Sequence, residues 1–296
     1  MKDKLIDFES TLKSVDTEEF LDIYFYRPIG YYLALFFLKI GILPNHVTVI
    51  SMFLGVAAGI CFYFQNLYAI LFGMFLLVLA NSFDSADGQL ARMTNNKSFF
   101  GRVLDGLSGV CWFVSIYISI ICRSEWNAIF FLAGFSGFYH LKQTAMADYY
   151  RNLHLLFLKG NSGSEFDNSK KLFYKYKQIS WKEYPFYKFI SLVYLNYTKK
   201  QEMESIQLQN LLIIIDTKYN GNPPVWLREG FCKKSLPLIK YTNLLSFNLR
   251  SIVLFFCLLT NYSWVYFIFE LTIMNVILFY MVECYERICQ NYLNKI

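Results

Sequence analysis

Apolar stretches close to the length of a bilayer core follow one another through this chain, at residues 46–65, 67–83, 103–122, 126–147, 241–260 and 263–282. A helix needs about twenty such residues to cross the hydrocarbon of a membrane. A soluble bundle would have to bury every one of these runs in a core far larger than a chain of 296 residues supplies. Residues 17–42 read differently. They open with acidic and aromatic side chains, contain Arg27-Pro28 and turn apolar only near the end, the pattern of a helix lying in the membrane interface. The predicted fold is therefore an all-α integral membrane protein. It has six transmembrane helices preceded by an interfacial amphipathic helix, with a cytoplasmic insertion between helices four and five. The expected segments are 1–43 for the N-terminus and interfacial helix, 44–158 for transmembrane helices 1–4, 159–240 for the insertion, and 241–296 for helices 5–6 with a C-terminal tail.

Charge orients this arrangement. Of the 28 Lys and Arg residues, only Arg123 falls in the short connections near 65, 123 and 262. The positive-inside rule then puts both termini, the polar cluster at 84–102 and the 159–240 segment in the cytoplasm. The first twenty residues lack an apolar h-region and a small-residue cleavage site, so no removable signal peptide is expected. A bacterial inner membrane is the expected location, with an internal eukaryotic membrane as the alternative. Residues 159–240 interleave Lys with Tyr and Phe, as in KKLFYKYKQISWKEYPFYKF. This suits a membrane-apposed surface carrying anionic lipid, and equally a solvated linker with local helices. The excess of basic residues comes with no groove-reading motif, which excludes nucleic acid as a partner. The seven cysteines form no C-x-x-C pair and sit mostly in apolar runs, and only three histidines are present, which argues against zinc.

Where the second apolar run ends, the sequence reads Asp84-Ser-Ala-Asp87-Gly88-Gln-Leu-Ala91-Arg92, and further on Gly101-Arg-Val-Leu-Asp105. On a helix, positions 84, 87, 88 and 91 share a face. Carboxylates at a membrane boundary are costly unless they pair or bind a cation. A hard divalent cation, Mg²⁺ or Mn²⁺, held by Asp84, Asp87 and Asp105 explains all three together, and such a site suits phosphate chemistry.

The spacing D-x2-D-G-x2-A-R-x8-G-x3-D resembles the signature of the CDP-alcohol phosphotransferase family, matched at Asp84, Asp87, Gly88, Ala91, Arg92, Gly101 and Asp105. A Pro44-Asn45-x-Val47-Thr48 element opening the first span adds to the likeness. The resemblance implies a cavity open to the cytoplasm. There a CDP-linked lipid or alcohol donor binds through its pyrophosphate at the metal site, the hydroxyl of an alcohol acceptor attacks the β-phosphorus, and CMP leaves. It assigns the three aspartates to the metal, Gly88 and Ala91 to the cytidine pocket, Arg92 to the phosphates or aspartates, and Gly101 to close packing. It also implies a homodimer in the bilayer.

The family pattern carries a fourth aspartate where this chain has Gly109. In the family that residue helps hold a second metal and is the usual candidate base. His140, Asp148 and Glu270 are the titratable residues near span ends that stand as replacements. Two other functions accommodate the loss: transfer of a phospho-headgroup between lipids from a donor that is not CDP-activated, and a catalytically inactive CDP-lipid-binding scaffold. Arg102, Lys142, Arg151 and Arg250 lie within or beside spans and mark either a site for a phosphorylated acceptor or side chains that snorkel to the headgroups.

Overall fold

The computed structural model describes residues 8–96, 98–160 and 164–296, so the first seven residues of the expected N-terminal segment and 161–163 of the expected insertion lie outside it. The described residues form helices and no strand: α1 (Arg27–Lys39), α2 (Pro44–Tyr63), α3 (Leu67–Met93), α4 (Phe99–Cys122), α5 (Ile129–Lys159), α6 (Ser169–Gln178), α7 (Pro185–Met203), α8 (Ile206–Tyr219), α9 (Val225–Ser235), α10 (Ile239–Leu244), α11 (Phe247–Leu259), α12 (Ser263–Leu271) and α13 (Ile273–Leu293). Among the described residues, five helical stretches are long and apolar enough to cross a membrane: Pro44–Tyr63, Leu67–Met93, Phe99–Cys122, Val225–Leu259 and Ser263–Leu293. This is an integral membrane protein. The five omit α5, which contains the fourth expected span; His140, Lys142, Gln143 and Asp148 dilute its apolar run, and the helix continues well past residue 147 to Lys159.

The chain divides into two compact units. One runs from the N-terminal part through Tyr139 and takes in Arg250–Leu271; the other comprises His140–Leu249 and Thr272–Ile296.

In the first unit, α2 lies against both α3 and α4. Helices in lipid associate through close backbone approach and interhelical hydrogen bonds, because lipid tails give apolar side chains no reason to leave them. Both devices are present. A Cβ on Gly55 would stand 2.0 Å from Trp112 Cδ1, and one on Gly59 2.3 Å from Ser115 Oγ, so α2 and α4 meet where α2 has no side chain. Ser51 donates to the carbonyl of Ala80 at 2.9 Å, Trp112 Nε1 to that of Ser51 at 3.1 Å, and Ser115 to that of Val56 at 2.9 Å. Pro44 starts α2 at a position where its missing N–H leaves no bond unmade. Behind the signature end of α3, a small core of Ala34, Phe37, Val47, Ala86 and Leu90 joins α1, α2 and α3. Tyr26, just ahead of α1, is buried, which pushes its hydroxyl up to about 12 and keeps it a neutral partner for Asn81.

The short connections of this unit meet through Arg123. Its guanidinium donates to the Phe62 carbonyl at 3.0 Å and reaches Asn261 Oδ1 at 3.5 Å, while Gln65 Nε2 donates to the Arg123 carbonyl at 3.1 Å. Across the α11–α12 turn, Arg250 Nη1 and Glu270 Oε2 pair at 2.5 Å with both side chains fully buried, and the Tyr266 hydroxyl donates to Glu270 Oε1 at 2.5 Å.

The second unit is built on α5 and α13. Gln143 Nε2 donates to Asn275 Oδ1 at 2.8 Å, and the Tyr150 and Tyr285 rings stack at 4.2 Å. The segment after residue 159 packs onto them. Gln201 donates to the Ala145 carbonyl at 2.7 Å, and Arg228 caps the end of α5 by donating to the carbonyls of Phe157 and Leu158 at 3.2 Å each. The Glu286 carboxylate accepts from the first amides of α8, Gln207 N at 2.7 Å and Leu208 N at 3.3 Å, a negative charge where a helix N-terminus favours one. Residues 164–240 thus form helices that pack onto α5 and α13.

Candidate functional site

Nothing in Asp84 to Arg92 breaks a helix strongly, and α3 runs through the whole motif to Met93. The helix stops where Asn95 takes a positive φ of 51°. Ser98 then caps α4, its hydroxyl accepting from Gly101 N at 2.9 Å. That reversal brings Asp105, on the second turn of α4, back to the end of α3. Carboxylate oxygens of Asp84, Asp87 and Asp105 lie within 4.8 Å of one another, the only such acidic, histidine or cysteine group among the described residues. Asp87 is buried, Asp84 half-buried and Asp105 exposed, so the group grades from the protein interior to its surface.

Two other elements close the site. Thr48, from the first turn of α2, hydrogen-bonds Asp87. Asn45 stands so near α4 that a Cβ on Gly101 would come 2.9 Å from its Oδ1. The α2 opening therefore abuts both halves of the motif. From α1, Arg27 donates to Ser85 Oγ at 3.3 Å while its Nε and Nη2 engage the Glu18 carboxylate at 2.9 Å, and Gln89 Nε2 donates to the Arg27 carbonyl at 3.0 Å. Arg92 folds back along α3 until its guanidinium lies 3.4 Å from where a Cβ of Gly88 would be, and its Nε donates to the main-chain carbonyl of Thr11. Ala91, one turn beyond Asp87, is half-buried.

The residues present fit a divalent metal ion. Three carboxylates supply hard oxygen ligands, and Asp87 Oδ2 is buried with no hydrogen-bond partner, which is costly for a carboxylate unless a cation takes that lone pair. At Gly109, one turn beyond Asp105 on the same face, a Cβ would meet nothing within 4 Å. The position that carries the family's fourth aspartate is open space.

Several of the remaining sequence candidates are engaged with partners of their own. Glu270 and Arg250 hold each other. His140 and Asp148 belong to the second unit, His140 buried and Asp148 exposed. Lys142 pairs with Glu204 at 2.8 Å, and Arg151 donates to Asn243 Oδ1 at 3.1 Å. Arg102 is half-buried on the first turn of α4, near Asp105 in sequence. Thr48, Arg27 and Thr11 were not singled out by the sequence. Thr48 carried a signal in the Pro44–Thr48 element; the other two act through contacts 58 to 81 residues away, which no local pattern reports.

Against known proteins, no curated protein and no solved structure matches the chain. Residues 41–148, which take in α2, α3, α4 and the first part of α5, match the family model described as CDP-alcohol phosphatidyltransferase. The aspartate cluster, Thr48 and Asn45 all fall within that match. Over residues 41–148 the chain is similar to the CDP-alcohol phosphatidyltransferase family.

Proposed function

We propose that this protein is a membrane phosphotransferase of phospholipid biosynthesis. It transfers a substituted phosphate group from a CDP-linked donor, such as CDP-diacylglycerol, to an alcohol acceptor and releases CMP. The carrying observation is the convergence of Asp84, Asp87 and Asp105 at the meeting of α3 and α4 inside the matched segment.

Bound at these carboxylates, Mg²⁺ or Mn²⁺ would supply charge neutralisation for a pyrophosphate and polarise its phosphorus. The protein's own groups do the rest. Gly88 lets a nucleotide come close to the α3 backbone. Arg92, lying over Gly88, offers its remaining donors to a phosphate oxygen. Thr48 and the Ser98 cap fix the two carboxylate-bearing helices, so the ligands need little rearrangement. The acceptor oxygen forms its bond to the β-phosphorus as the bond to CMP breaks. With no carboxylate at Gly109, the hydroxyl proton leaves to solvent through the open space there.

Gly109 favours a second reading, a CDP-lipid-binding protein without turnover. Purified protein in mixed micelles with CDP-diacylglycerol labelled in the cytidine, Mg²⁺ and a panel of alcohols separates the two. CMP release that is lost in Asp87→Asn supports the transferase. Saturable CDP-lipid binding with no CMP from any alcohol supports the second reading, and failure of CDP-lipid to bind rejects both.

A further inference from the structure

The α6–α7 hairpin exposes side chains that neither the aspartate cluster nor the packing of its own unit explains. Between Ser169 and Phe189 the chain has six lysines and one acidic residue, Glu183. Every residue from Trp181 to Tyr187 is exposed. Trp181 is 48% exposed, Tyr184 61% and Phe186 65%, at the turn where α6 gives way to α7. Water solvates such a tip poorly. Trp and Tyr, with an apolar ring and a polar edge, are the side chains that favour the headgroup region of a bilayer.

The tip is held rigidly. Lys188 is buried, its ammonium donates to the Ile179 carbonyl at 2.6 Å, and it lies 4.8 Å from the Tyr176 ring centre and 5.5 Å from that of Trp181. Leu172 and Leu195 are buried, one on each helix of the hairpin. With Lys188 inside, Lys170, Lys171, Lys175, Lys177 and Lys182 remain exposed around the aromatic tip. The same chain supplies membrane-crossing helices, so a bilayer is always within reach of this segment.

From this juxtaposition we infer that the α6–α7 hairpin is a docking surface for anionic lipid headgroups, with Trp181, Tyr184 and Phe186 entering the interface and the exposed lysines pairing with headgroup charge. Each basic residue near an anionic surface shifts membrane partitioning roughly fivefold, and salt weakens the attraction. An acidic protein is the other partner of opposite charge, but it would not reward three exposed aromatic rings at a single turn.

The test uses the full chain in vesicles of phosphatidylcholine alone or with phosphatidylglycerol, each with and without brominated acyl chains. The chain has five Trp residues, so the emission of Trp181 is taken as the difference between the wild type and Trp181→Phe. Docking gives a blue-shifted Trp181 contribution that brominated lipid quenches strongly only when phosphatidylglycerol is present. High salt reverses the effect, and a variant with Lys171, Lys175, Lys177 and Lys182 changed to Gln lacks it. Water-like, unquenched emission in both compositions overturns the proposal, as does quenching that ignores phosphatidylglycerol. Shielding of Trp181 only on addition of an acidic protein overturns it in favour of a protein partner. None of these outcomes depends on CMP release.

Discussion

Asp87 sets the terms at the level of single residues. It is 5% exposed, has an oxygen without a partner and faces two further carboxylates within 4.8 Å. Without a cation the three charges repel, and with one they become ligands. Saturating Mg²⁺ or Mn²⁺ should therefore raise the unfolding temperature of the detergent-solubilised protein. Linkage gives about 2.7 kcal/mol at a hundredfold excess over Kd. Asp87→Asn should lose most of that response while melting no lower than wild type in chelator, which a thermal scan with and without metal checks. Gly109 bears on rate rather than stability. Because a Cβ there meets nothing, Gly109→Asp should fold normally and, by restoring general-base assistance, raise CMP release by about 10²-fold or more. An unchanged rate in a well-folded variant would show that the proton does not limit turnover.

Among the helices, the α11–α12 pair has the clearest energetic signature. Arg250 and Glu270 are both fully buried and hydrogen-bonded to each other. Removing one partner strands a charge, and Arg250→Met should cost about 3–5 kcal/mol of stability, whereas Arg250→Met with Glu270→Leu should recover most of it. Chemical denaturation of the wild type and the two variants decides this. If instead the double variant stays as unstable as the single one, Arg250 has some further partner. The pair also shows what local pattern can and cannot tell. Helix periodicity put Asp84, Asp87, Gly88 and Ala91 on one face, and the structure has them there because α3 continues unbroken to Met93. It ended the apolar span at residue 83, since hydropathy falls at the aspartates although helical geometry does not. Arg250 and Glu270 each looked available for catalysis or substrate. That they satisfy each other depends on a twenty-residue separation bridged by the turn at 261–262, which no period reveals.

For the whole chain, the distribution of positive charge predicts an orientation with the connections near 65, 123 and 261, which Arg123 ties together, outside the cytoplasm. Cys122, beside Arg123, is the exposed one among the seven free cysteines. A membrane-impermeant maleimide should label it from the outer face of intact cells and not from the cytoplasmic face of inverted vesicles, with Cys122→Ser as the control. The membrane-embedded half of the molecule was legible because burying hydrocarbon leaves long uniform runs. The array between 164 and 240 was not, because its helices owe their positions to partners such as Ala145, Phe157 and Glu286, distant in sequence.

The bond from Arg92 to Thr11 ends on a peptide oxygen. Main-chain acceptors are indifferent to which amino acid bears them, so substitution at the exposed neighbours Glu9 and Ser10 should not release the arginine. A change in spacing is another matter. Adding or deleting a residue between Thr11 and Arg27, which bonds Ser85 on the same helix, would carry that oxygen out of reach, and related chains should vary here in letters far more readily than in length.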